Sequence, residues 1–284
     1  MRSPFLLISQ QRVEVSRSNL ELARSFCELA RKKFEAGAAP RLDVLSAEIQ
    51  LSAAEQALLS AQASLEQAQA QIRPLLGEGK GRPIVASGSV QLPRGLSRFD
   101  ERLAGAAATH PQVEMARRAL EQSEALVKLG RAQFNPTPSI VYFQDLRYTN
   151  LNAYQAQLQF PIDWGGMHAN VRQAQETVEE RRAALTQATL DVEARISTAR
   201  SGYESALQTA DAFEARVVRP SEELVRLTEL GYRRGALPYL QMLNAQQNLL
   251  QARAQHLALL LAGHQALHAL EAASAQNFEE EPTR

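Results

Sequence analysis

Two stretches of the chain, 198 residues apart, repeat one another, and each sets a helix breaker between two helical runs. Phe34-Glu-Ala-Gly37-Ala-Ala-Pro40-Arg-Leu42-Asp43-Val44-Leu45-Ser-Ala47-Glu-Ile-Gln-Leu51 returns as Tyr232-Arg-Arg-Gly235-Ala-Leu-Pro238-Tyr-Leu240-Gln241-Met242-Leu243-Asn-Ala245-Gln-Gln-Asn-Leu249, with seven of the eighteen positions identical. A period this long describes two copies of a large unit, not a short-period solenoid. Each copy is expected to be a pair of long helices reversed at Gly-x-x-Pro.

Composition agrees with long helices. Ala, Leu, Gln, Glu and Arg supply most of the 284 residues and aromatics only 6%, a profile that suits long helical rods. The formal net charge is zero, and mixed charges leave no polybasic tract for nucleic acid and no acidic tail. A lone Cys27 excludes an internal disulfide, and its place in a helical run makes it a structural thiol, not a nucleophile. The N-terminal apolar run is four residues, short of the roughly 7 to 15 of a secretory signal. No stretch approaches the roughly 18 consecutive apolar residues of a membrane-spanning helix, so any membrane role falls to strands or partners.

Along the chain, Val13 to Phe34 reads as a helix stopped at Gly37, and Leu42 to Ile72 as a second, stopped by Pro74 and the glycines that follow. Residues 81–110 form a Gly/Pro-containing connector with a short amphipathic piece around Phe99 to Ala108. The helix Gln112 to Gln133 ends before Asn135-Pro136-Thr-Pro138. Two segments of period two follow. Ile140, Tyr142, Leu146 and Tyr148 alternate with polar positions over 139–148, and Tyr154, Ala156, Leu158 and Phe160 alternate with glutamines over 153–161. Period two predicts a β-hairpin. At about 8 to 10 residues each, the strands are close to the 9 to 11 of a tilted membrane strand, with aromatics near the ends; a small soluble hairpin lying on the helices has the same pattern.

After Trp164-Gly165-Gly166 a very long helix is expected. Val171, Ala174, Val178, Leu185, Ala188, Val192, Ile196, Ala199, Tyr203, Ala206, Ala210, Phe213 and Val217 keep a three-four spacing with one phase shift, as in a coiled-coil seam. Pro220 interrupts it and predicts a kink or a restart. From Asn170 to Arg234 the run would measure roughly 95 Å at about 1.5 Å per residue. The return helix, Tyr239 to Ala272, carries Leu240, Leu243, Gln247, Leu250, Ala254, Leu257 and Leu261 as its stripe. One antiparallel pair of this length leaves apolar stripes to be covered by other copies or by the first hairpin.

These features together resemble the TolC-type outer-membrane efflux family. Gly-x-x-Pro before an apolar-Asp-Val-Leu-x-Ala run, twice per chain, is similar to that family's hairpin tips. The strand pair, the Phe160-Pro-Ile-Asp-Trp-Gly-Gly166 exit into an Ala-rich helix, and Leu75-Leu76-Gly77 also resemble it, over about residues 10 to 273. Tyr232-x-x-Gly235 to Arg253 is most similar to the cation and heavy-metal branch. The resemblance implies a mainly α fold of long antiparallel coiled-coil hairpins whose one β-hairpin contributes to an outer-membrane barrel. It also implies a homotrimer with a periplasmic tunnel, contacting outer-membrane lipid, a periplasmic adaptor protein and, indirectly, an inner-membrane pump. Passive export of small molecules or metal ions would be driven by that pump, with no cofactor and no nucleic acid.

The repeat also serves as a ruler. The expected division is a truncated first repeat (1–80, tip at 37–40), the connector, a complete second repeat (111–273, tip at 235–238) and a tail (274–284). The counterpart of the strand pair would precede residue 1. The chain is therefore expected to be a fragment that forms no conducting channel by itself, since open β-edges are not viable in lipid.

At the tips, the resemblance gives Gly37 and Gly235 the reversal, Pro40 and Pro238 the start of the return helices, and all four the adaptor-facing surface. Asp43 and Tyr232 match an acidic and an aromatic residue that constrict the tunnel entrance in closed family members. The family's basic partner is replaced by Leu237, leaving Arg233 and Arg234 as substitutes. Stabilisation of a helix N-terminus explains Asp43 equally well. Tyr142, Tyr148, Tyr154, Leu158 and Phe160 are the membrane-strand candidates. His264 and His268, four apart with His256 two turns earlier, are weak metal candidates with no acidic or Cys partner clustered beside them; ordinary helix histidines are preferred. No phosphate loop, triad or Cys/His cluster is present, and no enzyme is expected. The competing class is a soluble coiled-coil scaffold, for which an alternating Tyr-Gln-Ala-Gln-Leu-Gln-Phe strand has no use.

Overall fold

The computed structural model of the chain describes residues 4–76, 84–94, 103, 105–144, 152–160 and 164–276. In order these are α1 (Pro4–Glu35), α2 (Arg41–Leu76), α3 (Ala106–Thr109), α4 (Pro111–Ala132), β1 (Thr137–Gln144), β2 (Asn152–Gln159), α5 (Trp164–Phe213), a π-helical turn (Glu214–Val218), α6 (Arg219–Arg233) and α7 (Tyr239–Ser274). Among the described residues the fold is mainly α with one antiparallel strand pair, as the sequence indicates. Among the described residues no helix is long and apolar enough to cross a membrane. Residues 1–95 with 199–270 make one compact unit, and 96–198 with 271–284 a second.

In the first unit both hairpin reversals use the same chemistry. Gly37 and Gly235 hold φ of +71° and +74°, the left-handed region that side chains resist. At the first, Ala38 N–H donates to Lys33 O (2.8 Å) and Gly37 N–H to Phe34 O (2.9 Å); at the second, Ala236 N–H donates to Gly231 O (2.9 Å) and Gly235 N–H to Tyr232 O (3.0 Å). These pairs are the Schellman closure of a helix C-terminus. Pro40 and Pro238 stand just before the return helices, their carbonyls accepting from Asp43 N–H and Gln241 N–H at 3.1 Å.

Four helices share the core beneath the tips. Phe26, Cys27 and Ala30 of α1, Ala47 of α2, Val225 and Tyr232 of α6, and Tyr239, Met242, Ala245 and Leu249 of α7 form one buried cluster. Alanines at 30, 47 and 245 let the backbones approach. Farther along, Asn19 and Gln246 are buried, and Gln246 Nε2 donates to Asn19 Oδ1 at 3.2 Å, fixing α1 against α7 with a polar pair that an apolar slip would break. Residues 84–94 lie over this unit as a strap. Its carbonyls accept from three helices: Ile84 O from Gln69 Nε2 (3.1 Å), Val90 O from His264 Nε2 (3.0 Å) and Pro93 O from the Tyr203 hydroxyl (2.7 Å). Leu92 fills the space over Gly263, where a Cβ would come within 2.3 Å of its Cδ1.

One expectation is corrected here and two are refined. α2 is not stopped at Pro74; it carries that proline and runs to Leu76, because in a last turn only one intrahelical donor is forfeited. Pro220 interrupts the long helix by way of a π turn: α5 ends at Phe213 and α6 starts at Arg219 with Pro220 in its first turn, Arg219 N–H reaching back five residues to Glu214 O, and the wider turn makes room for the ring. The extra residue moves the seam: Val218 is buried at 8%, whereas Val217, the expected seam position, is 37% exposed. The stripe expected on α7 matches the buried face only in part: Leu257 is buried and Leu243 packs against the tip core, but the rest of the buried face lies to one side of it. Met242, Ala245, Leu249, Ala252, Leu260 and Leu267 are buried, whereas Leu240 is 63% exposed and Gln247 and Ala254 are exposed. A helix rich in Leu and Ala all round offers two stripes, and periodicity does not choose between them.

In the second unit, the His110 side chain accepts from Gln112 N–H (3.2 Å) and Pro111 occupies the first turn, together starting α4. α5 crosses close to α4: a Cβ on Gly130 would lie 3.2 Å from a Val171 methyl, and the Phe134 and His168 rings pack at 4.8 Å. Between these helices the chain forms the hairpin. The strand bounds are 137–144 and 152–159. α5 begins at Trp164, earlier than Asn170. Leu146, Tyr148, residues 161–163, half of the piece at 99–108 and residues 277–284 of the tail lie outside the described residues.

Candidate functional site

Two surfaces carry the chemistry, the joint between the tips and the strand pair. The joint is assembled from four helix ends. Lys33 comes from the last turn of α1, Asp43 from the first turn of α2, Tyr232 from the end of α6 and Tyr239 from the start of α7. Tyr232 is 3% exposed. Its hydroxyl donates to Asp43 Oδ2 at 3.4 Å, a long bond and so a weak one. The Tyr239 ring meets the Tyr232 ring edge-on, with centroids 5.6 Å apart. Burial, reinforced by the Asp43 charge and hydrogen bond, pushes the Tyr232 hydroxyl up to about 12; burial likewise pushes Tyr239 to about 12. Both phenols therefore stay protonated donors across the neutral range.

The structure brings Asp43 and Tyr232 together and leaves the two arginines elsewhere. Arg233 pairs with Glu229 on its own helix at 2.5 Å, an exposed i, i+4 contact, and Arg234 is exposed in the turn. Leu237 folds back over Gly231, where a Cβ would lie 2.5 Å from its Cδ1. The cation at Tyr232 is Lys33, which sequence reasoning missed. Its Nζ donates to the Tyr232 carbonyl and lies 4.3 Å from the ring centroid. The only signal in the sequence is a basic pair in a last helical turn, which ordinary dipole complementarity also accounts for.

The histidine candidates are separated by environment. His264 is buried and spends its Nε2–H on the Val90 carbonyl, whereas His268 is exposed. Among the described residues no three His, Cys, Asp or Glu groups converge to hold a metal ion.

The strand pair is a two-faced ribbon. Its register sets Pro138 opposite Leu158, Ile140 opposite Ala156 and Tyr142 opposite Tyr154, with Ser139 opposite Gln157 and Val141 opposite Gln155 on the other face. Side chains alternate across a strand, so one face gathers proline, isoleucine, leucine and both tyrosines. That face is open: Ile140 is 80% and Tyr154 79% exposed, and Leu158 and Phe160 are more than half exposed. The tyrosine rings pack against each other at 5.0 Å, a cross-strand pair that stiffens the ribbon.

Long tip-linked helical hairpins with an apolar-faced strand ribbon define a class of mainly α proteins that carry a β-segment. The outer membrane efflux protein family matches residues 6–78 and 103–276, and the chain belongs to that family. No protein of curated function matches it. Among solved structures it is similar to the outer-membrane channel OprN (21% identity, TM-score 0.71, covering 96% of this chain and 64% of that one). It is also similar to CusC, described in terms of folding and transmembrane channel formation (19%, 0.72, 96% and 66%), and to the open state of the Neisseria gonorrhoeae MtrE outer membrane channel (22%, 0.64, 99% and 67%). At these identities the likeness concerns the fold. The chain spans 64% and 66% of the lengths of OprN and CusC.

Proposed function

We propose that the chain is a subunit of an outer-membrane exit duct of a tripartite efflux or type I secretion system. The complete duct passes small molecules or metal ions passively, the energy coming from an inner-membrane pump reached through a periplasmic adaptor. The observation that carries this reading is the strand ribbon. An exposed face of Pro138, Ile140, Tyr142, Tyr154 and Leu158, backed by a mixed face on which Ser139, Gln155, Gln157 and Gln159 stand beside Val141 and Phe143, suits a wall with lipid outside and water inside. In this reading the helices extend into the periplasm, the tips at 37–40 and 235–238 meet the adaptor, and Asp43 and Tyr232 narrow the entrance. The residues divide into a hairpin over 1–80, a connector over 81–110 and a helix–strands–helix–tip–helix repeat over 111–273. Membership of a channel family and the open apolar strand face favour this over a soluble scaffold.

A tunnel built from several copies also gives a use to the exposed stripe Leu42, Leu45 and Ile49 of α2, at 70%, 54% and 64% exposure. Three copies would cover it. Sedimentation in mild detergent tests this: the expected species has three times the chain mass, and the pair Leu45→Asp with Ile49→Asp shifts it to a smaller one. A monomer indifferent to both substitutions would overturn the reading.

A further inference from the structure

Lys33 differs from the other basic residues near the tips. Its neighbour Lys32 is exposed and Arg233 is paired on its own helix, whereas Lys33 is half-buried and reaches out of the first hairpin to the second. The carbonyl it takes, that of Tyr232, already accepts Gly235 N–H at 3.0 Å in the closure of α6. A carbonyl has two lone pairs, so the ammonium completes a helix C-terminus that faces it with partial negative charge. The same ammonium lies 4.3 Å from the Tyr232 ring centroid, a cation–π arrangement strengthened by the ring's burial. Asp43 holds the far end of that ring through the hydroxyl. Tyr232 is thus gripped at its carbonyl, face and hydroxyl by residues from either side of the first tip.

We propose that Lys33 is a positioning residue that caps α6 from the neighbouring hairpin, so that the first tip holds the second closed. The proposal rests on the duct reading for its consequence, an entrance whose two tips move as one body, but the lock itself is independent of transport. The dependence is one-sided: the first tip's closing bonds run to Lys33 O and Phe34 O, and do not involve the Lys33 side chain.

Amide hydrogen exchange on the full chain tests it. Lys33→Met should speed exchange at Gly235, Ala236 and Leu237 by about ten-fold, the size expected for losing a charge-assisted contact at a partly buried ring. Gly37 and Ala38 should stay within about two-fold of the parent, since their own bonds remain. Lys33→Arg, which keeps the cation, should restore the second tip. An unchanged second tip in Lys33→Met, equal acceleration at both tips, or no restoration by Lys33→Arg would each overturn the proposal. If Lys33→Met does not fold, Lys33→Gln is judged by the same pattern. Because no step of this measurement involves lipid or export, its failure is distinguishable from failure of the duct reading.

Discussion

At the residue scale, the tips depend on backbone geometry and on one buried tyrosine. No atom lies within 4 Å of a Cβ built on Gly37 or Gly235, so Gly→Ala there meets strain alone. Each should lower stability by about 1 to 2 kcal/mol in denaturant unfolding, with Asn at the same position less damaging. Tyr232→Phe removes the long bond to Asp43 and should cost only about 0.5 to 1 kcal/mol. Burial holds Tyr203, Tyr232 and Tyr239 up to about 12, against about 10 for an unfolded tyrosine. A folded pKa above the unfolded one stabilises fully below the unfolded value and loses that contribution as pH rises through the folded one. Unfolding free energy should therefore hold steady with respect to these groups up to about pH 10 and fall between about 10 and 12, with a smaller fall in Tyr232→Phe. Cys27 is 3% exposed and burial raises its thiol pKa, so alkylation of the native chain should be far slower than of the denatured chain, as mass spectrometry reads directly.

At the element scale, the breakers and the seam of α5, where Val178, Val192, Ile196, Tyr203 and Ala210 are buried, were legible in the sequence, and the buried face of α7 was legible only in part. Gly37, Pro40, Gly235 and Pro238 mark reversals by chemistry local to a few residues, and the glutamine alternation of 153–160 marks a strand in the same way. The buried face of α7 is set by its neighbours, and with leucine and alanine on every side its sequence offers two equivalent stripes. The π turn is a further case. Pro220 announces a disturbance, but only the packed seam reveals that the helix absorbs it by adding a residue, moving burial from Val217 to Val218. The test is a pair of truncations: Val218→Ala should cost about 1 to 2 kcal/mol through lost burial, and Val217→Ala under about 0.5 kcal/mol. Equal costs would mean that the seam does not shift. Lys33 was illegible for the opposite reason, since its partner is 199 residues away and nothing near Lys33 in the sequence points to Tyr232.

At the scale of the whole molecule, the two units concentrate different chemistry. The first gathers its polar specificity at the tip joint, at the Asn19–Gln246 pair and along the strap held by Gln69, Tyr203 and His264. The second exposes an apolar strand face that water alone would not favour. The proposed duct would account for both in one object, with a protein-binding end and a lipid-facing wall. The central claim is the lipid-facing wall, and a fluorescence measurement tests it most directly. In a Trp164→Phe background, Tyr142→Trp places the probe on the apolar face and Gln155→Trp places it on the polar one, as their register dictates. In vesicles of phospholipid brominated on the acyl chains, the account predicts strong quenching at 142 and little at 155. Equal quenching at both, or none at either, would contradict it.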